Sequence, residues 1–185
     1  MVSFKPSLDD RKKKAKEQNK LKVKDIDEIC NLLEKALNDK NIVGTILKMK
    51  PKEVNYEQIK EKYGTNKSSD IIFIQFTKDG HVAVLGAGKD MSFSKNISGT
   101  NTWRIISAIE RVEWNDEMVI IIPIRYIKDC KIKKGDSILA YRNGIEQYLG
   151  DYLLSKGVPI LNCYQHKNYT DKAWNEWKKN DYIIK

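Results

Sequence analysis

The sequence predicts an α/β fold: a mixed sheet opened by an antiparallel hairpin, flanked by amphipathic helices and preceded by a basic arm. Three observations carry this. Residues 71–77 (IIFIQFT) and 81–85 (HVAVL) are β-rich runs joined through Asp79-Gly80, a pair that accepts the positive φ angles of a tight hairpin turn. Residues 118–124 are continuously apolar, which suits a strand covered on both faces. Apolar residues recur at i, i+3, i+4 and i+7 across 26–37 and again across 145–153, the spacing of one helix face.

Along the chain, residues 1–24 show no steady apolar periodicity and read as a flexible arm or frayed helix. Asp25 and Glu28 have the spacing of a capping box, opening a helix that Asn41 can close. Residues 42–49 read as a strand broken by Pro51, and 55–63 as a short helix ending at Gly64. The hairpin follows, then a possible third strand at 91–94 and helical spacing across 100–113. After the apolar run come a helix over 143–156 stopped at Gly157, a strand over 158–164 and a last helix over 170–180. Three segments result: an arm (1–24), a helical and strand extension packed on the body (25–69), and the α/β body (70–185).

Composition narrows the function classes. The 185 residues carry 34 Lys or Arg against 25 Asp or Glu, a net +9. Nine of the basic residues and only three acids fall in residues 1–24, so the arm alone holds +6. Such a segment suits polyanions, because each phosphate contact releases counterions. A solvated leader that only aids solubility is the plainer alternative. No apolar run approaches the ~18 residues of a membrane span, and the first 24 residues contain no signal-peptide core. Three widely spaced cysteines (Cys30, Cys130, Cys163) argue against a disulfide framework. The expectation is a cytoplasmic protein with no membrane partner. Abundant Lys, Asn and Ile fit an AT-rich genome, such as a low-GC bacterium or its phage.

From Asp70 the expected order is strand, strand, strand, helix, strand, helix, strand, helix. Gly99-Thr100-Asn101-Thr102-Trp103-Arg104 resembles the Thr-Asn-Asn stretch that opens the first helix of type I ribonucleases H. Gln165-His166-Lys167 followed by a helix is similar to that family's His-containing loop and last helix. The resemblance implies hydrolysis of RNA in hybrids by two metal ions held on four carboxylates. Those acids belong on the first strand, the first helix, the fourth strand and the last helix. Here the first strand offers Gln75, with Asp79 only at its turn. The helix has Arg104, and Ile120-Ile121-Ile122-Pro123-Ile124 has no acid. Only Glu176 matches. One carboxylate of four cannot offset the charge of two Mg²⁺ ions, so the resemblance implies a nuclease scaffold without its metal site, needing no cofactor.

Other patterns are weaker. Gln165-His166-Lys167 also resembles a restriction-nuclease Gln-X-Lys, with Glu146 or Asp151 as distant partners. Residues 58–70 resemble the start of a helix-turn-helix with Gly64 at the turn, but Lys60 replaces the usual small residue. Gly86-Ala87-Gly88-Lys89 lacks the spacing of a phosphate loop. His81 and His166 are scattered, and Cys163 reads as core. In the last region, Arg142, Tyr169 and Lys172 lie among aromatics including Trp174 and Trp177, a mixture that suits stacked bases and phosphates or, at the tryptophans, a core face.

The leading expectation is therefore a DNA- or RNA-binding protein contacting its ligand through Arg11, Lys12, Lys13, Lys14, Lys16, Arg104, Arg142, Tyr169 and Lys172. A phage- or bacterium-encoded inhibitor that binds a host or defence protein is the second. The third is a Mg²⁺-dependent nuclease with relocated acids, drawing on Asp79, Glu110, Asp116, Glu146 or Glu176, with His166 as a candidate base.

Overall fold

The computed structural model describes residues 7–40, 42–89, 91, 101–125 and 138–162. Helices α1 (Leu8–Gln18) and α2 (Ile26–Asp39) lead into a short strand β1 (Leu47–Met49), a 3-10 turn (Pro51–Glu53) and helix α3 (Tyr56–Tyr63). The hairpin β2 (Ile71–Thr77) and β3 (Val82–Ala87) follows, then α4 (Asn101–Ile106), β4 (Trp114–Pro123), α5 (Ile138–Ser155) and β5 (Ile160–Asn162). The strands form one mixed sheet in the order β1-β4-β2-β3-β5. The β1–β4, β4–β2 and β2–β3 pairs are antiparallel, and β5 joins β3 in parallel.

Alternation along β2 divides the core. Ile72, Ile74 and Phe76 point to one face, where they meet Ile120 and Ile122 of β4 and the apolar stripes of α2 and α5. Ile71 and Phe73 point to the other face, toward Ile59 of α3. Farther along that face, Ala15 of α1 and Ile105 and Ile106 of α4 pack with Ala83 and Leu161. Helices thus cover both faces, which is why every residue of β2 is buried, the polar Gln75 and Thr77 included.

Local chemistry explains the boundaries. Asn55 caps α3 through its side chain, and Gly64 ends it with φ 66°, in the left-handed region open to glycine. Residues 115–118 arch out of the β4 ladder, and the Asn115 carboxamide accepts from the amides of Glu117 and Met118 at 2.9 and 3.0 Å. On β3, Gly86 leaves room for the Phe73 ring, whose Cζ would lie 2.4 Å from an added Cβ.

Several expectations change. Within the segment read as a flexible arm, residues 8–18 form a helix whose Ala15 is fully buried. The extension over 25–69 is integral to the body, since β1 belongs to the sheet and α2 to the largest core cluster. The capping box forms at Ser7 and Asp10; at α2 the Asp25 side chain accepts from Asp27, while Glu28 pairs with Lys24. The strand expected over 42–49 is limited to Leu47–Met49, with an isolated bridge from Gly44 to Ile124. The helix expected over 100–113 ends at Ile106, and Arg111 has φ 62° before β4 begins. The strand expected at 91–94 falls almost wholly outside the described residues, and the helix expected at 170–180 lies entirely outside them.

Candidate nucleic-acid interface

α1 is fastened along one side and charged on the other. At its start the Ser7 hydroxyl accepts from the Asp10 amide at 3.1 Å, and Asp10 accepts from the Ser7 amide at 3.0 Å. Hydrogen bonds from Ser7, first its hydroxyl and then its amide, hold the Asp10 carboxyl below its ordinary range. One turn on, Arg11 Nη2 donates to Asn162 Oδ1 at 2.8 Å, and Asn162 Nδ2 donates to Thr102 Oγ1 at 2.8 Å. This chain ties α1 to the end of β5 and the start of α4. Gln18 Oε1 accepts from the Ile160 amide at 3.3 Å, tying the far end of the helix to the start of β5.

With Leu8, Arg11, Ala15 and Gln18 turned inward, the helical period sends Lys13, Lys14 and Lys16 outward, and all three are exposed. Lys20 and Lys22 continue the exposed series beyond the helix. Lys12 is half-buried and pairs with Asp9 at 3.5 Å. Among the described residues, Lys13, Lys14, Lys16, Lys20 and Lys22 have no carboxylate within ion-pair distance. α4 packs beside α1 on the same sheet face and carries the exposed Arg104. Of the candidates, Lys13, Lys14, Lys16 and Arg104 therefore share one helical layer with their charges free to meet solvent.

Arg11 and Arg142 have other employment. Arg11 is committed to Asn162. Arg142 Nη1 donates to the Ser69 carbonyl at 2.9 Å, and its guanidinium lies beside Gly88, 3.5 Å from where a Cβ would stand. The nearby Asp70 is buried. Desolvation lifts its carboxyl above the ordinary range, partly offset by the Lys67 amide and the Arg142 charge. Both arginines therefore bond within the body, Arg11 to Asn162 and Arg142 to the Ser69 carbonyl.

Among the described residues, no group of three His, Cys, Asp or Glu side chains lies close enough to hold a metal ion. Asp79 sits at the hairpin turn against Thr77 and His81. Burial alone would raise its carboxyl, but the Thr77 hydroxyl and the His81 ring together hold it lower than usual. Glu146 is buried on α5, whereas Glu110 and Asp116 are exposed. His166, Tyr169, Lys172, Trp174, Trp177 and Glu176 lie outside the described residues. Two motif readings are settled by local structure. Residues 58–70 comprise most of α3 and the turn that leads into β2, with no second helix. Gly86 and Ala87 belong to β3, so the glycines serve the strand and its end.

Sequence reasoning missed Asn162 and Thr102, whose importance lies in joining three elements 60 or more residues apart. The Ser7–Asp10 cap had a usable signal, a serine three residues before an acid at a helix start. Comparison with protein-family models, with curated proteins and with solved structures finds no match for this chain. The fold and this surface define only a class: an α/β protein with helices on both sheet faces and a basic two-helix layer.

Proposed function

We propose that the protein binds nucleic acid through the outer surface of the α1/α4 layer, with Lys13, Lys14, Lys16 and Arg104 meeting phosphates. The observation that carries this reading is the orientation of α1. Its inner side is locked to β5 and α4, so its lysines are held outward on a rigid element. A preordered row of cations loses less entropy on meeting a polyanion than a loose tail does. The scaffold is proposed as a binder with a ribonuclease H-like order of elements, without metal chemistry. That part rests on Gln75, Arg104 and 120–124 standing where the resemblance calls for acids.

The test is fluorescence anisotropy with single-stranded, duplex and hybrid probes at low and moderate salt. Binding that weakens with salt, and weakens further when Lys13, Lys14 and Lys16 are changed to Glu, is the expected result. Absence of binding to every probe at low salt would overturn the reading, and Mg²⁺-dependent cleavage of a probe would overturn the non-catalytic part.

One feature favours a protein-binding module instead. β1 pairs with β4 on one side only among the described residues, and beside it lies a cleft of about 420 Å³ lined by Leu47, Met49, Ile59, Lys62 and Tyr63. An extended peptide could add to such an edge. A stoichiometric partner recovered from nuclease-treated lysate, with no probe binding, would select this reading.

A further inference from the structure

His81 stands where the chain leaving α1 passes the β2–β3 turn. Its ring is buried, and both nitrogens are engaged: Nδ1 lies 3.0 Å from Asp79 Oδ2, and Nε2 lies 3.1 Å from the Leu21 carbonyl. Its backbone is fixed by Thr77, whose amide donates to the His81 carbonyl at 2.9 Å and whose hydroxyl accepts from the His81 amide at 3.1 Å. The ring is therefore held by its own strand while it reaches a segment 60 residues earlier. The two segments also touch beside it, since a Cβ at Gly80 would stand 3.6 Å from Val23. The Leu21 side chain is 50% exposed, so the tie to this segment runs through its backbone.

A carboxylate and a carbonyl have no proton to give. Each ring nitrogen must then be the donor, and only the doubly protonated imidazolium donates from both. A neutral ring keeps one bond and turns a lone pair toward the other oxygen. We propose that His81 is a proton-dependent latch: as the imidazolium it fastens the segment after α1 to the hairpin, and on losing a proton it releases one end. Asp79 is the charged group facing the ring from the turn. Of the neighbouring charges, Lys78 is paired with Glu113 at the start of β4, and Lys20 and Lys22 flank Leu21 as exposed residues. The Thr77 hydroxyl and the His81 ring, working against burial, hold the Asp79 carboxyl below its ordinary value and so favour the carboxylate facing the ring. The latch is complete while the ring holds both protons and opens when rising pH removes one.

The test uses the full chain and needs no ligand. Hydrogen exchange of peptides covering residues 8–22, corrected for intrinsic rates, should accelerate about tenfold from acid to mildly alkaline pH, the size of losing one bond from a charged donor. Peptides from β2 should not follow. Nitrogen-15 spectra of a His166→Gln background, in which His81 is the sole histidine, should show both ring nitrogens protonated at the acid end. Two variants separate the latch from a merely structural contact. His81→Gln should remove the pH dependence. Asp79→Asn should also remove it while keeping residues 8–22 protected at every pH, because its amide can donate to a neutral Nδ1 and leave Nε2–H for Leu21. A ring that is singly protonated throughout, or an unchanged pH dependence in either variant, overturns the proposal.

Discussion

At Gly86 the constraint is one of space: the Phe73 ring occupies the volume a β-carbon would need, with three ring carbons within 3.0 Å of that position. Both residues lie in strands buried on both faces, so neither can shift without disturbing the sheet. Gly86→Ala should cost about 1–3 kcal/mol, the range for overpacking a filled core, measured as a lower urea midpoint with an unchanged slope. A second residue gives a pH signature. The Tyr148 hydroxyl donates to the Ala36 carbonyl at 3.1 Å, joining α5 to α2. Burial, helped by the negative charge of Asp39, pushes its phenol up to about 12. Because the folded state favours the protonated phenol, this contribution is intact below the ordinary tyrosine value of about 10 and is lost as pH rises toward 12. Tyr148→Phe should lose less stability than the parent between those pH values in parallel thermal melts.

Among the elements, α1 is where sequence and structure diverge most. Its mean composition is strongly polar, and only Leu8 and Ala15 supply apolar anchors on its inner side. Two apolar side chains cannot hold an isolated 11-residue helix, which is marginal in water below ~12–15 residues. What seats it is the serine cap and the polar ties from Arg11 and Gln18. Asn162→Ala removes the link to both α1 and α4 and leaves Arg11 short of an acceptor. A loss of about 1–3 kcal/mol is expected, read by chemical denaturation, together with faster exchange in residues 8–18. Reversing Lys13, Lys14 and Lys16 to Glu touches only the outer face. It should leave the melting temperature nearly unchanged, and a large drop would show that these lysines do structural service.

For the molecule as a whole, charge is distributed unevenly over a body that is otherwise close to balanced. Residues 25–185 hold 25 basic and 22 acidic groups, so most of the +9 is delivered by the segment that includes α1. If phosphates meet that layer, the logarithm of the binding constant falls linearly with the logarithm of salt concentration. Removing three phosphate contacts should then flatten the slope by about 2–3 units on duplex DNA. Anisotropy titrations of parent and triple variant across a salt series check this. An unchanged slope would place the contact elsewhere on the surface.

The hairpin, the buried run of β4, and helices α2, α3 and α5 were legible in the sequence because each follows from short-range chemistry: Asp79-Gly80, an unbroken apolar stretch, and a 3.6-residue period ended by Gly64 or Gly157. The candidate site was legible only as a list of charges. Tertiary structure decided which cations are available, since Arg11 and Arg142 look no different from Lys13 or Arg104 until partners 151 and 73 residues away are brought beside them. It also decided that residues 8–18 are a seated helix, and that His81 links two distant segments. Periodicity records which way a side chain points along its own element. It holds no record of which distant oxygen or nitrogen will stand opposite, and that pairing sets whether a charge braces the fold or faces a ligand.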